Sequence, residues 1–171
     1  MSRIPRNAFA LQPGCFHVIN RGNNGMDVFR DEIDYQHYLN LLRHYKRRYP
    51  AKVYAYCLMT NHIHLLMETM ESRVLPKVMH GLNLAYSLYY KDRYGWNGHL
   101  WQDRYKSYLI EKEKYLVTCI EYIESNPVKA GLVSNGEAYL WCSAQERDKG
   151  NKNSLLDAEK GTHQSRVRKR P

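Results

Sequence analysis

Chemistry is first suggested by the run Asn61-His62-Ile63-His64-Leu65-Leu66-Met67. In a β-strand, side chains two residues apart point the same way, so His62 and His64 share one face while Ile63 and Leu65 share the other. Neutral imidazole is a common metal ligand, and two at this spacing can fill adjacent positions around a cation. Taken alone, the pattern is more often two surface histidines, because two ligands do not complete a site.

A second group of candidates falls on a helix expected from Glu111 to Asn126. At about 100° per residue, one stripe of this helix contains Tyr115, Cys119, Tyr122 and Asn126, and the neighbouring stripe is apolar. A tyrosine four residues before an asparagine would let Tyr122 attack while Asn126 offers a carbonyl oxygen to a metal. The chain has 15 tyrosines, so amphipathic packing explains any one of them more simply.

Cations and aromatic side chains are expected around these candidates. Arg21, Arg104 and Lys106 are predicted to meet phosphate groups, and Trp101 and Tyr108 to stack on unpaired bases. Ordinary surface or core packing explains each of the five equally well.

The charge of the chain favours a polyanionic partner. Its 171 residues include 26 Lys+Arg and 17 Asp+Glu, which gives a net charge of +9. Residues 147–171 hold eight basic and three acidic side chains, so the tail is strongly basic and the body mildly so. We predict one domain over residues 1–146 and a flexible basic tail over residues 147–171. The RVRKR run at Arg166–Arg170 is expected to add salt-sensitive, non-specific affinity for nucleic acid.

Cysteine spacing and hydropathy indicate the cellular compartment of the protein. The four cysteines contain no CxxC pair, which argues against a zinc ribbon or a disulfide scaffold and fits reduced thiols. No apolar run approaches the ~20 residues that cross a bilayer. We therefore expect a cytoplasmic protein without a membrane partner.

The elements that must position the candidates alternate in a recognisable order. Strands are predicted at residues 15–20, 53–58, 62–67 and 105–110, with a short hairpin turn at Met59–Asn61. Helices are predicted from the N-cap Asp31 to Pro50, from Ser72 to about Tyr90, and from Glu111 to Asn126, where Pro127 closes the last one. This order predicts an α+β fold, a ferredoxin-like or RRM-like antiparallel sheet with helices packed on one face plus a C-terminal candidate catalytic helix.

Several separated strings match one family in order across roughly residues 15–142. They are HVINRGNNGMDVF, YCLMTNHIHLLME, LWQDRYKSYLI and YIESNPVKAGLV, and they resemble the motifs of the REP-associated tyrosine transposases, a branch of the IS200-like single-tyrosine HUH transposases. The later Tyr139-Leu140-Trp141-Cys142-Ser143 is similar to the family's aromatic-Pro-Trp-Ser-Ser element, with Leu140 where proline is common.

The resemblance assigns roles to the candidates. It implies that His62 and His64 are the HUH metal ligands, that Tyr122 is the nucleophile, and that Asn126 stands where related enzymes place a polar metal ligand. It further implies Mg²⁺ or Mn²⁺, single-stranded DNA with a palindromic (REP-type) hairpin as substrate, and a 5′-phosphotyrosine intermediate with a free 3′-hydroxyl. Related enzymes include monomers and homodimers, so both states remain open.

Two other functions compete with this interpretation. A four-stranded sheet bearing aromatic residues can bind single-stranded nucleic acid without cutting it. A metal-dependent nuclease would activate water instead of a tyrosine and release products free of protein.

Overall fold

A computed structural model describes residues 12–111, 113–149 and 155–158 of the chain. The strands are β1 (Gly14–Arg21), β2 (Ala51–Met59), β3 (His62–Thr69) and β4 (Lys106–Ile110). The helices are α1 (Glu32–Arg48), α2 (Val74–Tyr94), α3 (Glu113–Glu124), α4 (Asn126–Lys129) and α5 (Ser143–Lys149). Short 3₁₀ turns lie at Asn23–Gly25 and Gly136–Ala138.

The strands form one antiparallel sheet in the order β2-β3-β1-β4. Along the chain the elements follow the order strand, helix, strand, strand, helix, strand, and β1 and β3 lie at the centre of the sheet. This arrangement is the ferredoxin-like layout. The predicted fold class is therefore confirmed. The predicted hairpin is also present, because β2 and β3 are joined by the two residues Thr60 and Asn61.

One face of the sheet carries the main hydrophobic core. The alternating residues Phe16 and Val18 of β1 and Ile63, Leu65 and Met67 of β3 are all buried on this face. The apolar stripes of α1 and α2 cover them, with buried residues that include Tyr38, Leu42, Leu75, Leu82 and Tyr86. Burying one such side chain stabilises the fold by about 1.5–3 kcal/mol, which makes this face the rigid base of the sheet.

The opposite face is only partly covered. Ile120 and Ile123 of α3 pack there against Cys57 and Leu66. The α3 helix therefore lies across this face, and the remaining part of the face, from β3 across β1 to β4, lines an open cleft.

The observed ends of the helices differ in part from the predicted ones. Asp31 caps α1 as predicted, because its side chain accepts hydrogen bonds from the N–H groups of Ile33 and Asp34. The prediction that the third helix runs to Asn126 and is closed by Pro127 is wrong. The α3 helix ends at Glu124. Pro127 lies in the first turn of a separate helix, α4, where the missing N–H of proline costs no hydrogen bond.

Part of the predicted tail contacts the body. Leu155 is buried, and the backbone N–H of Asp157 donates a hydrogen bond to the Val53 carbonyl at 2.8 Å. Lys46 forms an ion pair with Asp157 at 2.7 Å. The residues of the RVRKR run lie outside the described part of the chain, and the boundary at residue 146 stays a prediction.

Within the described ranges, the helices are all too short or too polar to cross a bilayer.

Candidate active site

A cleft of about 630 Å³ opens on the exposed part of the second sheet face. Eight of the nine residues singled out in the sequence line it: Arg21, His62, His64, Arg104, Lys106, Tyr108, Tyr122 and Asn126. They come from β1, β3, β4, the segment before β4, and the α3–α4 junction. The structure therefore brings together side chains that are separated by up to about a hundred positions in sequence.

The two histidines of β3 lie side by side, as the strand period predicts. The ring centroids of His62 and His64 are 5.1 Å apart and the ring planes are inclined at 80°. His62 Nδ1 lies 2.6 Å from the Asn61 side-chain oxygen. In the tautomer in which His62 Nδ1–H donates to Asn61, the Nε2 lone pair of His62 is free to bind a cation.

The loop after β1 holds Asn61 in place. Gly22 N–H donates to the Asn61 carbonyl at 2.8 Å, and the Asn61 Nδ2 donates to the Gly25 carbonyl at 3.1 Å. A Cβ atom on Gly22 would lie 2.3 Å from the Met26 carbonyl oxygen, so only glycine fits at this position. This tight loop thus supports the hydrogen bond that orients His62.

A third histidine, His17, belongs to the site although its role was not predicted. Its Nε2 lies 3.0 Å from His64 Nδ1, and the two rings stack with centroids 5.3 Å apart. The side chain is almost fully buried. The sequence held a usable signal: His17 and Arg21 are four residues apart on β1 and so share one face, and Arg21 was already a candidate.

Burial keeps the three imidazoles neutral. Desolvation lowers the pKa of His17 to about 4. It also lowers the pKa of His64 to about 3, with further contributions from the neighbouring His17 and His62. Desolvation and the nearby Arg21 guanidinium lower the pKa of His62. Neutral rings keep the nitrogen lone pairs that metal binding requires.

Tyr122 extends from α3 over the histidines. Its ring centroid lies 5.9 Å from that of His17 and 6.3 Å from that of His64, both in edge-on geometry. The residue is 46% exposed, so the phenol is accessible to a ligand in the cleft. The ammonium group of Lys129, from α4, lies 4.3 Å from the centroid of the Tyr122 ring. A cation at this distance attracts the face of the ring and helps to hold it in position.

Asn126 lines the same cleft and caps the end of α3. Its Nδ2 donates to the backbone carbonyls of Tyr122 at 2.9 Å and of Ile123 at 3.1 Å. These carbonyls belong to the last turn of the helix, where no backbone N–H is available to them. The amide nitrogen of Asn126 is therefore engaged in hydrogen bonds. Its side-chain oxygen remains available to coordinate a cation.

Cations surround the histidines and the tyrosine. The alternation of β4 places Lys106 and Tyr108 on the cleft face, opposite Ile19 and His17 of β1. Tyr108 is 50% exposed, with its ring 6.3 Å from that of His17. Arg21 and Arg104 are exposed at the edge of the cleft. The arrangement suits a phosphate chain with unpaired bases.

Trp101 is the one predicted site residue that does not line the cleft. Its indole packs against the main core, with centroids 6.4 Å from the Tyr38 ring and 6.1 Å from the Tyr86 ring. Its backbone forms an isolated bridge with Gly22. The ring therefore supports the loop below the site and is not available to stack on a base in the cleft.

One side chain of β3 and one of α3 that neighbour the candidates in sequence lie apart from the cleft. Glu68, which continues the histidine face of β3, accepts a hydrogen bond from the Tyr54 hydroxyl at 2.5 Å and lies 3.9 Å from Lys52 Nζ. Tyr115, two turns before Tyr122 on α3, is exposed and does not line the cleft.

The donor set of the cleft is mixed. Over the described ranges, His, Cys, Asp and Glu side chains do not gather in threes to form a complete metal site. His62, His64 and Asn126 line the same cleft, and an amide oxygen is a type of ligand that supplements histidine in divalent cation sites.

The chain is similar to transposases in sequence and in fold. A family model of IS200-like transposases matches residues 13–126. A Haemophilus influenzae protein assigned as a REP-associated tyrosine transposase is 33% identical over 101 residues, which cover 50% of this chain and 54% of that protein. The chain thus spans about half the length of this curated relative.

A solved structure extends the likeness of the fold. It is that of a REP-associated tyrosine transposase bound to a REP hairpin, and it superposes with a TM-score of 0.69 over 93% of this chain and 92% of the other, at 19% identity. The strand order, the helices and the matched motifs agree with this likeness. The chain belongs to the family of IS200-like transposases.

Proposed function

We propose that the chain is a metal-dependent transposase that cuts and rejoins single-stranded DNA through Tyr122. The observation that carries this proposal is the position of the Tyr122 ring, edge-on to His17 and His64 in one cleft. A phenol that lies beside potential metal ligands, among cations, is suited to attack a phosphodiester.

The residues of the cleft fit a divalent cation. His62, His64 and Asn126 would hold Mg²⁺ or Mn²⁺, because each has one polar atom bonded within the protein and another left for coordination. When bound, the cation supplies Lewis-acid polarisation of the scissile phosphate. Two nitrogen ligands suit Mn²⁺ better than Mg²⁺, which prefers oxygen.

In the chemical step, one phosphorus–oxygen bond forms as another breaks. The phenolic oxygen of Tyr122 forms a bond to phosphorus as the bond between phosphorus and the 3′-oxygen breaks. The phenol loses its proton and the leaving 3′-oxygen gains one. The products are a 5′-phosphotyrosine and a free 3′-hydroxyl, so the phosphoester is conserved and the reverse reaction can rejoin DNA without ATP.

The remaining side chains bind and orient the strand. Arg21, Arg104 and Lys106 would contact phosphates, and Tyr108 would stack on an unpaired base. The curated relative is named for REP association, and the structural relative is bound to a REP hairpin. We therefore propose a palindromic hairpin beside the cleavage point. The substrate also implies a cytoplasmic enzyme, acting as a monomer or a homodimer.

Covalent capture on labelled DNA tests this function. The protein is incubated with a labelled hairpin oligonucleotide and Mn²⁺ and separated under denaturing conditions, where a covalent adduct migrates with the protein. Tyr122→Phe should abolish the adduct and leave binding intact. Tyr115→Phe, which changes an exposed tyrosine of the same helix outside the cleft, is the matched control and should retain it.

The competing functions give different results. A non-catalytic binding module would shift the labelled DNA but give no adduct with the unaltered chain. A nuclease that activates water would release products free of protein and would tolerate Tyr122→Phe. An adduct that persists in the Tyr122→Phe variant would refute the nucleophile proposed here.

A further inference from the structure

A second groove lies on the other side of β4 from the cleft. It has a volume of about 680 Å³ and runs between α2 and residues 99–107. Its lining includes His80, Asn83 and Leu84 of α2, together with His99, Trp101 and Ser107. We call it the α2 groove. It falls in the size range of ligand sites, about 300–1,000 Å³.

The α2 groove and the cleft share a wall. Gln102, Asp103 and Arg104 line both. Along β4 the alternation of side chains continues this division, because Lys106 and Tyr108 line the cleft whereas Ser107 lines the groove. The two depressions are therefore neighbouring surfaces on opposite faces of one strand.

The strand between them is at the edge of the sheet. In the part of the chain that the structure describes, β4 pairs with β1 and no strand follows it in the order. A polymer in the cleft can thus pass around residues 102–104 into the groove without crossing a sheet. Arg104 lines both depressions and is placed to contact a phosphate at the crossing point.

The lining of the groove suits a nucleobase. Pro76 and Leu84 give an apolar surface, and the exposed His80 and His99 are polar rings at the same site. A base has an apolar face and an edge with both donors and acceptors, so it matches this combination.

We propose that the α2 groove binds an unpaired stretch of the same DNA strand that is cut in the cleft. This inference rests on the proposed function, because it takes the cleft to hold the scissile phosphate. The strand would pass around the edge of the sheet at Arg104, with the reacting phosphate on one face and a flanking base on the other.

Two matched substitutions on α2 test the groove. Leu84 lines it and is 51% exposed, whereas Leu88, one turn further along, is 58% exposed and outside it. Leu84→Glu therefore places a carboxylate in the groove, and Leu88→Glu adds the same charge to the same helix beside it. Glutamate is a good helix former and both sites are half open, so both variants should fold.

The measurement is the affinity for hairpin oligonucleotides whose unpaired flank is lengthened, on the 5′ or the 3′ side, from about two to about ten nucleotides. Each additional base that stacks should strengthen binding. All proteins carry Tyr122→Phe to prevent cleavage. The parent should bind more tightly, by about tenfold or more, as one flank lengthens. Leu84→Glu should lose this gain and keep its affinity for the short flank, while Leu88→Glu should behave as the parent.

The outcomes separate this proposal from the proposed function. Equal affinities of parent and Leu84→Glu at every flank length, or an equal loss at all lengths, would overturn the groove as a DNA site. Adduct formation on the short-flank hairpin by Leu84→Glu with Tyr122 restored would show at the same time that the cleft functions as proposed. Failure of every variant and of the parent to bind any hairpin would overturn both.

Discussion

The Nε2 atom of His17 lies 3.0 Å from the Nδ1 atom of His64, and the two rings stack across the centre of the sheet. This contact fixes the orientation of the His64 ring through its Nδ1 atom. In the tautomer in which His64 Nδ1–H donates to His17, the Nε2 of His64 presents its lone pair to the cleft. His17 would then be a positioning residue for the metal ligand rather than a ligand itself.

Replacement of His17 should therefore weaken the binding of a cation without removing a ligand. In His17→Leu the His64 ring loses its hydrogen-bond partner, and we expect the affinity for Mn²⁺ to fall roughly 10–100-fold. Isothermal titration calorimetry of Mn²⁺ into the metal-free protein measures this. His17→Gln, whose amide oxygen can accept the same hydrogen bond, should retain most of the affinity. Unchanged Mn²⁺ affinity in a folded His17→Leu variant would contradict the positioning role.

The buried histidines should also make stability depend on pH. Their folded-state pKa values, about 4 for His17 and about 3 for His64, lie below the value of about 6.5 expected in the unfolded chain. Between these values the unfolded chain binds protons that the folded chain does not. The contribution of these histidines to the free energy of unfolding should therefore be at its maximum above about pH 6.5. It should decrease as the pH falls toward 4, by up to about 1.4 kcal/mol per pH unit for each histidine.

Urea unfolding of the metal-free protein from about pH 7.5 to about pH 4.5 would measure this dependence. The His17→Leu variant should show a shallower decrease, because it has one fewer suppressed protonation site. A free energy of unfolding that stays constant over this range would show that the rings are not desolvated as the structure indicates.

Truncation of Tyr108 and of Trp101 should differ in its effect on stability. Tyr108→Ala removes an exposed ring from the cleft, and we expect a loss of about 1–3 kcal/mol in affinity for single-stranded DNA with little change in stability. Trp101→Ala removes an indole packed on the core, and we expect a loss of stability on the order of 2 kcal/mol or more. Thermal unfolding and fluorescence anisotropy with a labelled oligonucleotide distinguish the two effects. Equal effects of both variants on stability would contradict the assignment.

Gly22→Ala should disturb the loop that holds Asn61. The new methyl group would meet the Met26 carbonyl oxygen at 2.3 Å and the Val28 Cγ1 at 2.8 Å, so the backbone must shift. We expect a destabilisation of about 1–3 kcal/mol in thermal or urea unfolding. Gly14→Ala, at the other end of β1, is the control. Its added methyl group would lie 3.0 Å from the flexible end of the Leu109 side chain and at ordinary contact distance, 3.5 Å, from the Phe16 ring, so it should change stability little.

Local periodicity was enough to place several site residues. The parity of β3 predicts that His62 and His64 share a face, and the structure shows their rings adjacent. The four-residue spacing of Tyr122 and Asn126 predicts that both lie on one side of the helix end, and both line the cleft. In each case the relation depends only on the repeat of a single element, which the sequence displays directly.

Relations between elements were harder to predict. The contact of His17 with His64 joins residues 47 positions apart, and it depends on the register of β1 against β3, which no local pattern specifies. The position of Trp101 outside the cleft was hard to predict for a similar reason, because an aromatic side chain beside basic residues suits both base stacking and core packing. Pro127 fits either the end of a helix or the first turn of the next one, and the structure selects the second.

The hydrogen bonds from Asn126 to the carbonyls of Tyr122 and Ile123 tie the proposed third ligand to the segment that bears the proposed nucleophile. The two histidines, by contrast, are anchored in the sheet. A rigid displacement of α3 would thus withdraw attacking group and oxygen donor in one movement and leave behind an incomplete pair of imidazoles. In the proposed mechanism, Tyr122 and Asn126 would therefore reach the two histidines together, and a molecule with α3 displaced would be unreactive toward DNA.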